Sequence, residues 1–245
     1  RTISWNVKTM DAKMKGMILS GMMGLCLLLG ILAALGSSWL TSDEFLGEEV
    51  EEDEAEVSYS LTALHVEGLD DKGCESDHTK AMEKALEGSE AECDGDNMIL
   101  TWSLSEQCDV YTDAHDDFKD AAGDSQAEVE LLGELADAKD DACDSATAGT
   151  MGTIGMWGGI VCALLAVLIL VLPMAGVDAL DAVPDMAKTI VSWAAGGLML
   201  LGILLWYMML PDGDASAGMS LWMAVGAAVL GLGASAMDQF MPAEE

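Results

Sequence analysis

Four long apolar runs punctuate the chain, and one long acidic stretch separates the first from the other three. The runs are GMILSGMMGLCLLLGILAALGSSWL (16–40), MGTIGMWGGIVCALLAVLILVLP (151–173), TIVSWAAGGLMLLGILLWYMML (189–210) and AGMSLWMAVGAAVLGLGASAM (217–237). Each reaches the roughly 20 apolar residues that a helix needs to cross a hydrocarbon layer about 30 Å thick. None contains Asp, Glu, Lys, Arg or His. The pattern predicts four transmembrane helices over these ranges. The first run exceeds the ~7–15-residue core of a signal peptide, so it reads as a span.

Basic residues near the span ends set the expected orientation. Arg1, Lys8, Lys13 and Lys15 lie in segment 1–15, and Lys188 closes the 174–188 loop. The 211–216 loop (PDGDAS) and residues 41–71, just after the first span, hold neither Lys nor Arg. The 1–15 segment, the 174–188 loop and the 238–245 tail are therefore expected in the cytoplasm. Segments 41–150 and 211–216 are expected outside a plasma membrane. Trp39, Trp157, Trp193, Trp206, Tyr207 and Trp222 fall near run ends, where amphipathic rings favour the lipid–water interface.

Segment 41–150 is the one substantial polar region. It carries 34 acidic residues and five lysines, a net charge of −29 out of −33 for the whole chain. An overall apolar content of 51% beside that charge excludes one ordinary soluble domain and excludes simple disorder. An acid excess also excludes nucleic-acid binding, which needs a basic footprint. The run 43–56, with EEVEEDEAE inside it, should repel itself and stay solvated. VSYSLTALHV (57–66) alternates at period two and reads as a strand, as does MILTWSL (98–104). SDHTKAMEKALEGSEAE (76–92) reads as a short helix. AEVELLGELADAKDDA (127–142) reads as another, with Val129, Leu132, Leu135 and Ala136 near one stripe, followed by a small-residue linker, SATAGT.

Of six cysteines, Cys26 and Cys162 lie inside apolar runs, where packed free thiols are expected. Cys74, Cys93, Cys108 and Cys143 share the polar segment, and two disulfides among them are expected, with three connectivities open. Metal binding with His65, His78 and His115 is the alternative, but tight C-x-x-C or H-x-x-x-H spacing is missing. Asp94-Gly95-Asp96-Asn97 lacks the spacing and closing acid of an EF-hand loop. Loosely bound cations on the acidic surface are expected, with Asp94, Asp96, Asp109, Asp113, Asp116 and Asp117 the places to look for anything tighter. The 18 methionines are dispersed along apolar helices, which favours packing over copper binding.

Neither a G-x-S-x-G elbow nor a phosphate-binding G-x-x-x-x-G-K-[ST] loop occurs. No cofactor is expected, and the chain reads as non-enzymatic. Ionisable groups are missing inside the runs, which argues against a pump or coupled transporter. Glycines are the conspicuous feature instead. Gly155 and Gly159, Gly21 and Gly24, Gly196 and Gly197, and Gly231 and Gly233 present small faces through which helices can approach closely.

The fold class that follows is a membrane all-α protein: a four-transmembrane-helix bundle with a small disulfide-linked α+β extracellular domain between helices 1 and 2. The order of a long cysteine-bearing first outer loop, a short inner loop and a short second outer loop resembles the claudin and peripheral-myelin-protein superfamily. Trp39 at the exit of the first helix, Tyr59-Ser60-Leu61 and Cys108-Asp109-Val110-Tyr111 are the local points of likeness. The family's Trp followed by two close cysteines is met only in part, by Trp102 before Cys108. The acid bias and single Arg resemble a halophilic or marine archaeal proteome. The resemblance implies a scaffold with a junction or adhesion role, self-associating in membrane lipid through its helices and acidic domain. The alternatives are an oligomeric pore with a cation-attracting acidic vestibule, or an accessory subunit of a larger membrane complex.

Overall fold

The computed structural model describes residues 10–42, 44–45, 48–49, 55–68, 86, 88–94, 97–121, 123, 126–176, 183–210, 215–241 and 243–244. In chain order the elements are β1 (Met10–Asp11), α1 (Ala12–Leu35), β2 (Leu40–Ser42), β3 (Glu44–Phe45), β4 (Glu48–Glu49), β5 (Glu56–Tyr59), β6 (Ala63–Glu67), β7 (Ser89–Asp94) and β8 (Asn97–Ser103). They continue with α2 (Leu104–Ala121), α3 (Gln126–Met174), α4 (Asp185–Met209), β9 (Ser216–Ala217), α5 (Met219–Phe240) and β10 (Ala243–Glu244). The chain is mostly helical. Four helices, α1, α3, α4 and α5, are long and apolar enough to cross a membrane. Two compact units divide it: a helical unit of 1–34, 155–201 and 223–245, and a sheet unit of 35–154 and 202–222.

The four long helices share one burial rule. On α1, Leu19, Met23, Cys26, Gly30 and Ala33 are buried, while Leu25, Leu28, Leu32 and Leu35 are exposed. Buried positions thus recur at alternating steps of four and three, a 3.5-residue period that keeps one seam facing other helices. Ala195 and Met199 on α4 repeat the pattern, as do Ala224, Ala227, Gly231 and Ala234 on α5. The seam residues are mostly small, and the large aliphatic side chains point away from it. A water-soluble core would have the reverse arrangement, whereas helices packed in lipid place small residues at their contacts.

The helix α3 runs unbroken for 49 residues, about 74 Å at 1.5 Å per residue. It joins the predicted 127–142 helix to the predicted 151–173 span, so SATAGT is helix rather than linker. Pro173 stands one residue from its end, and Gly176, with φ of 76°, takes the left-handed conformation that terminates it.

In the sheet unit six strands pair in the order β7-β8-β6-β5-β2-β9, all antiparallel. Residues 57–66 form a hairpin and not the single strand their alternation predicts. The turn is Ser60-Leu61-Thr62. The Ser60 hydroxyl accepts from the Ala63 amide at 2.9 Å, and the Ser60 amide donates to the Ala63 carbonyl at 2.8 Å. The reversal brings Val57 opposite Val66 and Tyr59 opposite Leu64. Directly opposite residues share a face, so Val57, Leu64, Val66, Leu100 and Trp102 make one core, with Tyr59 and Tyr111 packed against it.

Strand β8 falls where MILTWSL predicts one. Ser89–Glu92, expected to close a helix, lie instead in β7, where Ala91 faces Leu100. The rest of that expected helix, apart from Leu86 and Gly88 at a turn, lies outside the described residues, with most of the 43–56 acidic run. The helix α2 is absent from the sequence expectations. Leu104 is buried, and Cys108, Tyr111, His115 and Phe118, spaced from it by fours and threes, are half-buried, as are Gln107, Val110 and Thr112.

Candidate functional site

The sheet unit is held at three places. The first is the disulfide between Cys108 on α2 and Cys143 on α3. Cys93 is also disulfide-bonded; Cys74 lies outside the described residues. The second is the tip of the β5–β6 hairpin. Leu61 is buried, with its carbonyl over Gly149 and its side chain over Gly152. A side chain at Gly149 would collide with that carbonyl. The small residues that read as a linker are therefore a flat helix surface that receives a turn.

The third is the seam between β2 and β9. Leu40 lies opposite Ala217, and Thr41 opposite Ser216, with their hydroxyls 2.7 Å apart. The Gly218 amide donates to the Trp39 carbonyl at 2.9 Å, and the Ser220 amide to the Ser38 carbonyl at 2.8 Å. Trp39 and Trp206 are both buried, packed edge to face with ring centres 5.1 Å apart. These two rings are thus core residues rather than interfacial anchors. Trp157, Trp222 and Tyr207 do stand exposed.

The histidines do not converge. On the sheet, His65 Nδ1 lies 3.2 Å from the Thr101 hydroxyl and Nε2 lies 3.3 Å from the Ser60 hydroxyl. Burial lowers its pKa below the usual 6.5. Ser60 is committed to the hairpin turn, so the Ser–His contact braces the turn and is not an activated nucleophile. His115 instead meets the neighbouring Asp116 carboxylate at 3.1 Å, and His78 lies outside the described residues. Among the described residues, His, Cys, Asp and Glu nowhere gather in threes with metal-binding geometry. Asp109, Asp113, Asp116 and Asp117 all ride on α2; Asp96 lies outside the described residues.

In the helical unit, a cavity of about 320 Å³ opens among all four long helices. Leu19 and Met23 of α1, Ala166, Ile169 and Leu170 of α3, and Ala234 of α5 make its apolar floor. Asp185, Lys188 and Thr189 from the start of α4, with Asp238 near the end of α5, make its rim, and Ser192 lines it further along α4. Lys15 bonds both the Asp238 carboxylate, at 3.0 Å, and its carbonyl, at 2.8 Å. Lys188 meets Asp185 at 3.2 Å. Deeper along α4, the Ser192 and Ser235 hydroxyls are 2.8 Å apart. Beside this end of the helices, β1 pairs in parallel with β10, Met10 opposite Ala243. No sequence motif marks the cavity. Its one advance signal was Lys188 with Ser192 and Ser235, polar groups flanking or entering apolar runs.

The predicted packing glycines fall into two sets. Gly159 lies against Met199 and Ala195, and Gly196 and Gly231 lie against each other, with Cys26 beside Gly231. Gly233 approaches Met22. Around Gly21, Gly24 and Gly197, added side chains would meet nothing within 4 Å. Gly155 is half-buried in α3. Gly30, not singled out from the sequence, receives Met199 and Ile160. Cys26 and Cys162 are free thiols. Comparison with models of protein families finds no match, and comparison with curated proteins finds none either.

Proposed function

We propose that the chain is a four-span membrane protein that displays an acidic, disulfide-bonded domain outside the cell and acts as a self-associating, non-enzymatic scaffold. The observation that carries this reading is the β2–β9 pairing. Strand β2 follows α1, and β9 connects α4 to α5. If each long helix crosses once, these two segments emerge on the same side, and their sharing of one sheet fits that count. The β1–β10 pairing fits the complementary requirement that both termini share the other side. Lys13 and Lys15 on the latter segment favour the cytoplasm.

This connectivity is the one that resembles the claudin superfamily. Self-association draws on Gly21 and Gly24, whose small surface on α1 has no neighbour within 4 Å in one copy and suits close helix–helix approach in lipid. The acidic domain, with 34 acidic residues against five lysines, would recruit cations and basic partners.

The test pairs topology with assembly. A membrane-impermeant thiol label applied to intact cells should reach a cysteine introduced by Ser216→Cys and miss one introduced by Ala243→Cys. Labelling of the second from outside overturns the orientation. Sedimentation in detergent should show an oligomer that Gly21→Leu with Gly24→Leu reduces to monomer. Reproducible cation conductance in planar bilayers would replace the scaffold with a pore.

A further inference from the structure

We infer that the cavity among the helices of the helical unit binds one hydrocarbon chain of a phosphate-bearing membrane lipid, with the phosphate at Lys188. The inference rests on the membrane-spanning reading above and adds a ligand to it. The argument begins with depth. From Asp185 at the rim to Ser192 is seven residues of helix, about 10 Å. The floor residues Met23 and Ala166 lie within the apolar runs, while Lys188 and Asp238 lie at the helix ends, beside the paired β1 and β10. The cavity therefore runs from headgroup level into hydrocarbon level. Water is a poor occupant of the floor, whose side chains are apolar except for Ser192, already bonded to Ser235.

The charges choose the headgroup. Asp238 is already matched by Lys15, whose side chain is only 12% exposed and makes two bonds to it. Asp185 is 98% exposed and holds Lys188 only as an i,i+3 surface pair, an interaction of little net strength. Lys188 is thus the basic group that lines the cavity and can exchange its partner. An ammonium at headgroup depth binds phosphate as a point charge. The volume, near the lower end for ligand sites, suits one chain and not a whole two-chain lipid.

The test uses the full chain in a maltoside detergent and native mass spectrometry. Lysophosphatidylglycerol is titrated in one arm, a monoacylglycerol of equal chain length in a second, and inorganic phosphate competes in a third. Lysophosphatidylglycerol should saturate at one adduct per chain. Lys188→Gln should weaken it about tenfold, the effect of one lost charged hydrogen bond, and leave the monoacylglycerol unchanged. Ala234→Leu, which fills the floor, should abolish both adducts. If that variant misfolds, the split between the two probes in Lys188→Gln decides alone. Adducts that never saturate, or equal response of both probes to Lys188→Gln, overturn the proposal. Displacement of the lipid by millimolar phosphate assigns the site to free phosphate instead and overturns it too. Thiol labelling reports on the spans independently, so a failed cavity and a failed topology are distinguishable.

Discussion

The helical unit and the sheet unit use the same small residues for opposite purposes. In the helical unit Gly159, Gly196 and Gly231 let neighbouring helices touch, and buried positions along α1 and α5 repeat at a 3.5-residue period. In the sheet unit Gly149 and Gly152 take the tip of a hairpin, a single contact from a distant part of the chain. The first kind of contact is distributed, so losing one leaves its neighbours. The second is concentrated, so losing one releases the hairpin. The units also differ in what else holds them: lipid-compatible packing in one, and a disulfide with a small apolar core in the other.

The largest predicted effect exploits that contrast. Gly149→Val drives a side chain into the Leu61 carbonyl and should cost about 3 kcal/mol or more, the upper range for overpacking. Hydrogen exchange should show the loss at residues 57–66 while α1 stays protected. Gly21→Val, with nothing within 4 Å, should leave single-copy stability within about 0.5 kcal/mol. Equal effects of the two would dissolve the distinction between concentrated and open sites.

Next in size is the Cys108–Cys143 disulfide, which closes a separation of 35 residues. Cys108→Ser with Cys143→Ser should cost the sheet unit about 2–4 kcal/mol, read as a drop in its melting temperature. A parallel drop in the helical transition would show the two units to be one cooperative block. Salt comes third. With −29 charges in segment 41–150, moving from 0.01 M to 1 M NaCl shortens screening from about 30 Å to about 3 Å. The sheet unit's melting temperature should rise and the helical one should hold still. A flat response would remove self-repulsion as a limit on stability.

The smallest effect belongs to His65. Its folded pKa lies below the unfolded value of about 6.5, because burial disfavours the charged ring. Above pH 6.5 both states are neutral and the stability is fully present. As pH falls below 6.5 the unfolded chain takes up the proton first, and stability declines until the folded pKa is passed. His65→Gln should remove that part of the decline, measured by denaturant unfolding between pH 7.5 and 5.5. An unchanged slope would assign it to carboxylates.

The four long apolar helices were legible because a run free of charge needs no partner to be recognised, whereas most misreadings came from contacts distant in sequence. Alternation continued smoothly from Val57 to Val66, and no Gly, Asn or Pro marked the reversal at Ser60-Leu61-Thr62. The reversal is made by Ser60, whose hydroxyl accepts the Ala63 amide, and by the packing of Leu61 on Gly149. SATAGT looked like a linker since small residues serve both flexible joints and close packing. The helix α2 did carry a local sign, Ser103 three residues before Glu106, the spacing of a capping box, along with its four-three apolar spacing. The cavity was illegible, because it is assembled from four helices that contribute one or a few residues each.

The pairing of β2 with β9 also sets an order of events during biosynthesis. Thr41 and Ser216 are 175 residues apart, and at about 5–20 residues per second the ribosome takes roughly 9–35 s to travel between them. Throughout that interval β2 presents an edge whose outer neighbour does not yet exist, and an open edge can template pairing with other chains. The final strand arrives only with the turn between the last two long helices. Sheet closure therefore reports that the last helical pair has been made, so a chain truncated before residue 216 should be recognisable by the edge it leaves bare.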